Sequence, residues 1–323
     1  MFFSRSRAKK RKEGCKNMGQ MLFQMIRRNL KIFLKDKANI FFALLSPLIV
    51  LGLYVIFIGR MQTDGLLEAL SEMGISGAEK EVRSFCDSWM LTGVMACACI
   101  TVPLCACGVM IQDKMRGITA DLLASPVPYW LPRAAYFCAV AAAGIVLSGI
   151  VLCICFIWLA FSGWALTVGE VFGCIGTMIL SVLSSSGLLV LLTGFLKTEG
   201  AFTGVNIVFG TVVGFLIGAY MPIGSFPKGV QYVTLFFPGT YSAGLFRNLM
   251  MRGTADALAE KTSAQFVEGL EKQFSMTFDF FGYEVHASAM AIVLAVTALV
   301  FIACNLVITF IRPRKKALLL NGK

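Results

Sequence analysis

Long uncharged apolar runs, separated by short polar segments, dominate the chain. Residues 40–58 form the first, nineteen positions closed by Gly59-Arg60. Residues 88–112 form the second, held between Asp87 and Asp113. Residues 134–169 carry no charge over thirty-six positions, with Ser162-Gly163 as a turn before Glu170. About 20 apolar residues in an α-helix cross a hydrocarbon core roughly 30 Å thick. This long run therefore reads as one span, 134–161, and the start of another, 170–196. The polar turn Lys197-Thr198-Glu199-Gly200 introduces a fifth span, 201–220, and a sixth occupies 285–311 before Arg312-Pro313-Arg314-Lys315-Lys316. A further run, 229–246, is eighteen residues long but has Pro238-Gly239 at its middle. Proline there removes a backbone hydrogen bond and clashes with the preceding turn, and the freed groups need protein or water as partners. Two outer re-entrant half-helices, turning at Pro238 and Gly239, are expected in its place.

Composition turns this pattern into a class. Hydrophobic residues make up 57% of the 323 positions and charged residues 15%, against roughly 45–50% and about 25% in a soluble domain. So few charges could not cover the surface of a globular fold. Soluble enzymes, disordered chains and disulfide-stapled secreted domains are excluded, and an all-α integral membrane protein with six transmembrane helices remains.

The net charge of +11 sorts by side. With six spans both termini share one face of the membrane. Residues 1–39, 113–133, 197–200 and 312–323 then hold 21 of the 29 Lys and Arg and 5 of the 18 Asp and Glu, a net of +16, leaving −5 for the opposite side. Lys and Arg mark the cytoplasmic side, so both termini are expected there. Counting 229–246 as a seventh span would put residues 312–316 outside, against that bias. The charge is thus a topology signal and no sign of a nucleic-acid partner.

The polar segments have patterns of their own. Residues 1–17 and 313–323 read as basic cytoplasmic tails near anionic lipid, flanking a transmembrane domain at 18–312. No signal-peptide cleavage pattern follows the first of them. Between residues 18 and 37, Gln20, Gln24, Arg27, Lys31 and Lys35 recur at helical spacing, beside Arg28 and opposite Leu22, Met25, Ile26 and Phe33. This is the signature of an interfacial amphipathic helix, with a bend at Lys35-Asp36-Lys37. After the second span, Asp113 opens a loop whose middle, with Ile118, Leu122 and Leu123 on one side, forms a short helix stopped by Ser125-Pro126. Residues 66–85 and 254–274 show helical periodicity with acidic faces, the latter with Leu258, Phe266, Leu270 and Phe274 on one stripe. They are expected to be small extracytoplasmic helices.

Candidate chemistry is sparse. The spans carry no charge in their interiors, where ion-coupled transporters place Asp, Glu, His or Arg, and the single histidine, His286, falls at an outer edge. No phosphate-binding loop G-x-x-x-x-G-K-[ST] occurs, so nucleotide hydrolysis is expected elsewhere. Six of the eleven cysteines form C-x-C pairs (97/99, 105/107 and 153/155) within spans. On a helix their thiols point about 200° apart, so they read as small apolar residues; Cys86 alone is placed near the outer surface. Gly210, Gly214 and Gly218, preceded by Gly200 and Gly204, form a small-residue face suited to close helix packing, within the chain or at a dimer seam. Ser184, Ser185, Ser186 and Thr193 read as hydroxyls satisfying backbone groups.

From residue 18 onward the order of these features resembles the permease subunit of type II ABC exporters, the ABC type-2 transporter family. The resemblance is carried by Arg28-Asn29-Leu30-Lys31-Ile32-Phe33-Leu34-Lys35-Asp36-Lys37 leading to Ser46-Pro47, by Gly117-Ile118 with Leu122-Leu123-Ala124-Ser125-Pro126, and by Phe236-Phe237-Pro238-Gly239-Thr240-Tyr241 with Phe246-Arg247. It implies a cytoplasmic coupling helix in which Lys114, Arg116, Gly117, Ile118, Asp121, Leu122 and Leu123 meet a separate ATPase. It also implies a dimer with an identical or sister permease, and ATP with Mg bound on the ATPase, with no cofactor on this chain. The implied setting is a bacterial cytoplasmic membrane and the implied cargo a drug-like or amphiphilic compound. A channel or scaffold protein is the alternative reading, followed by a membrane-embedded enzyme. The first would need polar pore-lining stripes and the second a clustered acid–base or metal set.

Overall fold

The computed structural model describes the backbone of residues 2–320 apart from 126 and 281, and side chains over 18–308 apart from those two, 123 and 264. The fold is a helical bundle with six helices, among the described residues, long and apolar enough to cross a membrane. Helix α1 (Phe2–Lys35) runs without a break through the expected N-terminal tail, whose side chains lie outside the described residues. It stops at the expected bend, where the Asp36 carboxylate accepts from the backbone N–H of Asn39 at 3.0 Å and so caps α2 (Lys37–Leu53). Such a cap satisfies an otherwise orphaned N-terminal donor.

The first crossing differs from its sequence reading. It does not end at Gly59-Arg60. A π-helical turn, Tyr54–Ile58, carries α2 directly into α3 (Gly59–Glu72), giving one continuous helix from Lys37 to Glu72. Gly59 serves the wide turn, since a Cβ there would meet the Tyr54 carbonyl oxygen at 2.9 Å. The expected helix over 66–85 is in fact the end of α3, a turn with Gly74 and Gly77 at positive φ, and the first turns of α4 (Glu79–Ala106). Polar residues at a helix end do not break it once the helix has left the hydrocarbon.

Helix α4 is the axis of the bundle. Its most apolar stretch is buried all round, by contacts with α2, α7 (Trp130–Ser162), α8 (Val168–Phe195), α9 (Glu199–Leu216) and α11 (Pro238–Met250). Small side chains allow this, because they let neighbouring backbones approach. A Cβ on Gly93 would lie 2.9 Å from Ala219, and one on Gly144 would overlap Val182. The run Ala96-Cys97-Ala98-Cys99 is fully buried. Cys86 is fully buried too, not at the surface as expected, because the α3–α4 turn and the helices of the same end cover it. All ten described cysteines are free.

Helix α8 begins on a capping box in which Thr167 and Glu170 each bond the other's backbone N–H, and Thr198 caps α9. The interrupted run 229–246 forms two short helices, α10 (Lys228–Leu235) and α11, broken at Phe236-Phe237 with Pro238 in the first turn of α11. The Thr234 carbonyl near the break has a protein partner, the Thr240 hydroxyl at 2.6 Å, and the same hydroxyl lies 3.1 Å from the Leu216 carbonyl at the end of α9. Beyond α11, α12 (Arg252–Lys261) and α13 (Ala264–Gln273) bury Leu258, Leu270 and Phe274 along the expected stripe. A hairpin of β1 (Phe278–Phe280) and β2 (Tyr283–Val285), which the sequence reading did not include, precedes α14 (Ala287–Leu320). The outward faces of the π-helical turn, α7, α9 and α14 expose Ile56, Phe57, Ile154, Phe161, Ile207, Phe215, Ile292 and Leu299. An apolar belt of this extent is the surface a bilayer covers.

Candidate coupling site and packing surfaces

The candidate coupling residues lie where α4 passes through Cys107 into α5 (Gly108–Met115) and then α6 (Ile118–Ala124). Gly117 joins α5 to α6 at φ 78°, a left-handed conformation that costs glycine little and other residues more. The turn redirects the chain, so α6 packs mainly on α5 at the tip of the bundle. Arg116 and Asp121 are exposed, Ile118 and Leu122 half-buried, and the side chain of Leu123 lies outside the described residues. Helix α6 ends as Ser125 turns to an extended conformation and its hydroxyl bonds the Leu122 carbonyl at 2.7 Å.

The base of α6 is anchored by charge. Asp113 is part of α5, not the start of a loop, because the helix continues past the apolar run. Its carboxylate is 3% exposed as a residue and takes two bonds from the Arg28 guanidinium of α1, at 2.6 and 2.8 Å, and one from the Tyr136 hydroxyl of α7 at 2.6 Å. Bidentate Arg–carboxylate pairs are among the stronger protein contacts, and the Asp113 carboxylate holds the Arg28 guanidinium above its usual range. One buried acid thus ties α1, α5 and α7 together. The next residue, Lys114, donates to the carbonyls of Thr193, Gly194 and Leu196 at 2.9, 3.3 and 3.0 Å. It places a cation at the C-terminus of α8, where the helix dipole favours one. Arg133 of α7 donates to the Asn305 side-chain oxygen of α14, and Asn305 passes the contact to the Gly187 carbonyl of α8 at 2.7 Å. The end of the bundle that carries α6 is therefore cross-braced by polar bonds, while α6 itself is held chiefly through α5.

On α1, Arg27, Lys31 and Lys35 are exposed and only Arg28 turns toward the bundle. The three candidate packing glycines of the fifth crossing separate. A Cβ on Gly210 would meet open space, although its carbonyl accepts from Ser46 at 3.1 Å. A Cβ on Gly214 would overlap the ring of Tyr220. Gly218 is not on the helix at all: α9 ends at Leu216, and Gly218 sits in the following turn at φ 69°, against Ile223 and Arg247. Pro238 and Gly239 border a small hollow with Ser181, Ser184 and Ser185. Ser185 bonds the Cys99 carbonyl and Ser184 pairs with Thr297.

Two features escaped the sequence reading. Arg247 is fully buried in α11 and donates to the carbonyls of Ile217 and Gly218 at 2.9 and 2.8 Å, while its Nε and Nη1 have no partner among the described residues. Its signal was present as the lone charge between Lys228 and Arg252. Asp87, at the edge of the second apolar run, lies inside α4 and accepts from the hydroxyls of Tyr54 and Ser162.

A search among curated proteins gives no match. A family model described as "ABC-2 type transporter" matches residues 20–251, a stretch that takes in α6, the α10–α11 break and five of the six crossings. The order of an amphipathic α1, a small helix after the second crossing and a broken helix pair after the fifth has its explanation there: the chain belongs to the ABC-2 type transporter family.

Proposed function

We propose that this chain is the permease subunit of an ATP-driven exporter and that a separate cytoplasmic ATPase drives it by docking on α6. The supporting observation is the way α6 is mounted. It projects from a left-handed glycine, exposes Asp121 with Arg116 exposed just before that glycine, and rests on α5, whose next turn inward is locked to α1, α7 and α8 through Asp113 and Lys114. A push on α6 therefore reaches three further helices of the bundle through the polar bonds of α5. Two such permeases, identical or sister chains, would form the transport unit in a bacterial cytoplasmic membrane with both termini inside. ATP and Mg would be held by the ATPase. The apolar interior, with hydroxyls as its main polar lining, suits a drug-like or amphiphilic cargo.

Mechanistically, ATP-driven approach of two ATPase subunits would favour one arrangement of the permease pair and hydrolysis the other, a two-state element biased by differential binding. The test is the double variant Arg116→Glu with Leu122→Asp. Membrane insertion should be retained and thermal stability should fall by no more than about 2 kcal/mol, since Arg116 is exposed and Leu122 half-buried, while ATP-dependent efflux is lost and ATP hydrolysis no longer responds to cargo. Unchanged efflux would exclude α6 as the drive point and leave the channel or scaffold reading standing.

A further inference from the structure

The outward side of α1 carries charge that the bundle does not use. Arg27, Lys31 and Lys35 recur every four residues along about 12 Å of helix, all are exposed, and none has an acidic partner among the described residues. With Gln24, Arg28 and Ile32 they line a shallow open groove of about 520 Å³. Like charges at this spacing repel, so the bare stripe costs stability that a bound anion would return.

The surroundings say which kind of anion. At about 100° per residue, Phe23 and Leu34 fall within roughly 40° of Arg27 around the helix, and they are 66% and 40% exposed. Beyond the Asp36 bend, α2 opens with Phe41 and Phe42 also more than half exposed, continuous with the apolar belt. Basic side chains beside exposed aromatics, at the level where a helix enters hydrocarbon, match a lipid headgroup with its acyl region. A protein partner covering the stripe would leave the aromatic edge to be matched separately. Residues 18–35 include no acid that could hold the cation of a zwitterionic headgroup.

We infer that Arg27, Lys31 and Lys35 form a binding site for the phosphate of an anionic phospholipid, with Phe23 and Leu34 against its glycerol and upper acyl region. Arg28, one position round the helix, is bonded to Asp113, so the bound lipid would brace α1 against the joint that carries α5. This goes beyond the exporter reading and needs only that the chain is in a membrane.

The test uses the full-length permease in detergent without any ATPase, titrated with fluorescent phosphatidylglycerol, with phosphatidylcholine, and with soluble glycerol phosphate. Phosphatidylglycerol should bind about tenfold or more tighter than phosphatidylcholine. Each of Arg27→Gln, Lys31→Gln and Lys35→Gln should weaken it by about fivefold, and the triple variant should abolish the preference. Glycerol phosphate should bind far more weakly than the lipid. Thermal unfolding of the triple variant, whose changes are all on the surface, confirms that it is folded. A folded triple variant that keeps the preference overturns the site, as does equal binding of glycerol phosphate, which would make it a soluble-anion site. No ATPase is present in the titration, so its failure would leave the exporter reading untouched.

Discussion

Arg28→Ala should destabilise the permease more than Asp113→Ala, although both break the same pair. The two partners differ in exposure: the Arg28 side chain is 38% exposed and that of Asp113 4%. Removing Asp113 leaves a guanidinium that can turn to water and a Tyr136 hydroxyl without its acceptor, a loss of about 1–2 kcal/mol. Removing Arg28 leaves a buried carboxylate with Tyr136 as its remaining side-chain donor. Breaking a buried pair in this way costs about 3 kcal/mol here, the low end for such pairs because one partner already meets solvent. The double variant should recover most of the Arg28→Ala loss, since no uncompensated charge remains. Thermal unfolding of the four purified proteins gives the comparison directly. Equal, small losses for both single variants would show that the pair behaves as a surface contact and that α1 is held by packing alone.

Arg247 is the second site of large expected effect, and here the sign depends on what replaces it. The guanidinium is fully buried in α11 with two carbonyl acceptors on the turn after α9 and no acidic partner among the described residues. A buried ion without a counter-charge gives back little of its desolvation cost, and apolar replacement of buried ions is often neutral or better. Arg247→Met, of similar length and apolar, should therefore unfold within about 1–2 kcal/mol of wild type. Arg247→Ala opens a cavity between α9, α11 and their neighbours and should cost about 3–5 kcal/mol. Arg247→Glu, which sets a carboxylate against two carbonyls, should prevent accumulation of folded protein. If Arg247→Met proved as damaging as Arg247→Ala, the two bonds to Ile217 and Gly218 would be the main support of the turn between α9 and α10.

The crossings were legible because hydropathy over about 20 residues reports a single large term, transfer of side chains into hydrocarbon. The break near Pro238 was legible because proline lacks a donor wherever it sits, but it falls at Phe236-Phe237, and Pro238 and Gly239, expected to form the turn, open α11 instead. Helix ends were not. Hydropathy marks where the hydrocarbon stops, whereas α2–α3 and α5 continue until a turn or a glycine stops them. Asp113 and Asp87 consequently read as boundary markers, although each accepts bonds across the bundle. Gly218 followed the four-residue spacing of Gly210 and Gly214 but belongs to a turn, a difference that spacing alone does not carry. Cys86 fell near a predicted boundary, and its burial comes from neighbouring segments that periodicity within one helix does not reveal. The coupling segment was legible in place and length, yet the bonds that join it to the bundle come from residues 23 to 85 positions away.

The central claim, that an ATPase drives this permease through α6, is tested most directly by a photo-crosslinking amino acid placed at exposed position 120, with position 129 beyond α6 as a control. Irradiation of membranes containing the permease and a candidate ATPase encoded beside it should give a permease–ATPase adduct from position 120 and much less from position 129. The yield from position 120 should change when ATP is supplied. An adduct pattern from position 120 limited to lipid or to the permease itself, in membranes where ATP-dependent efflux is intact, would contradict the claim.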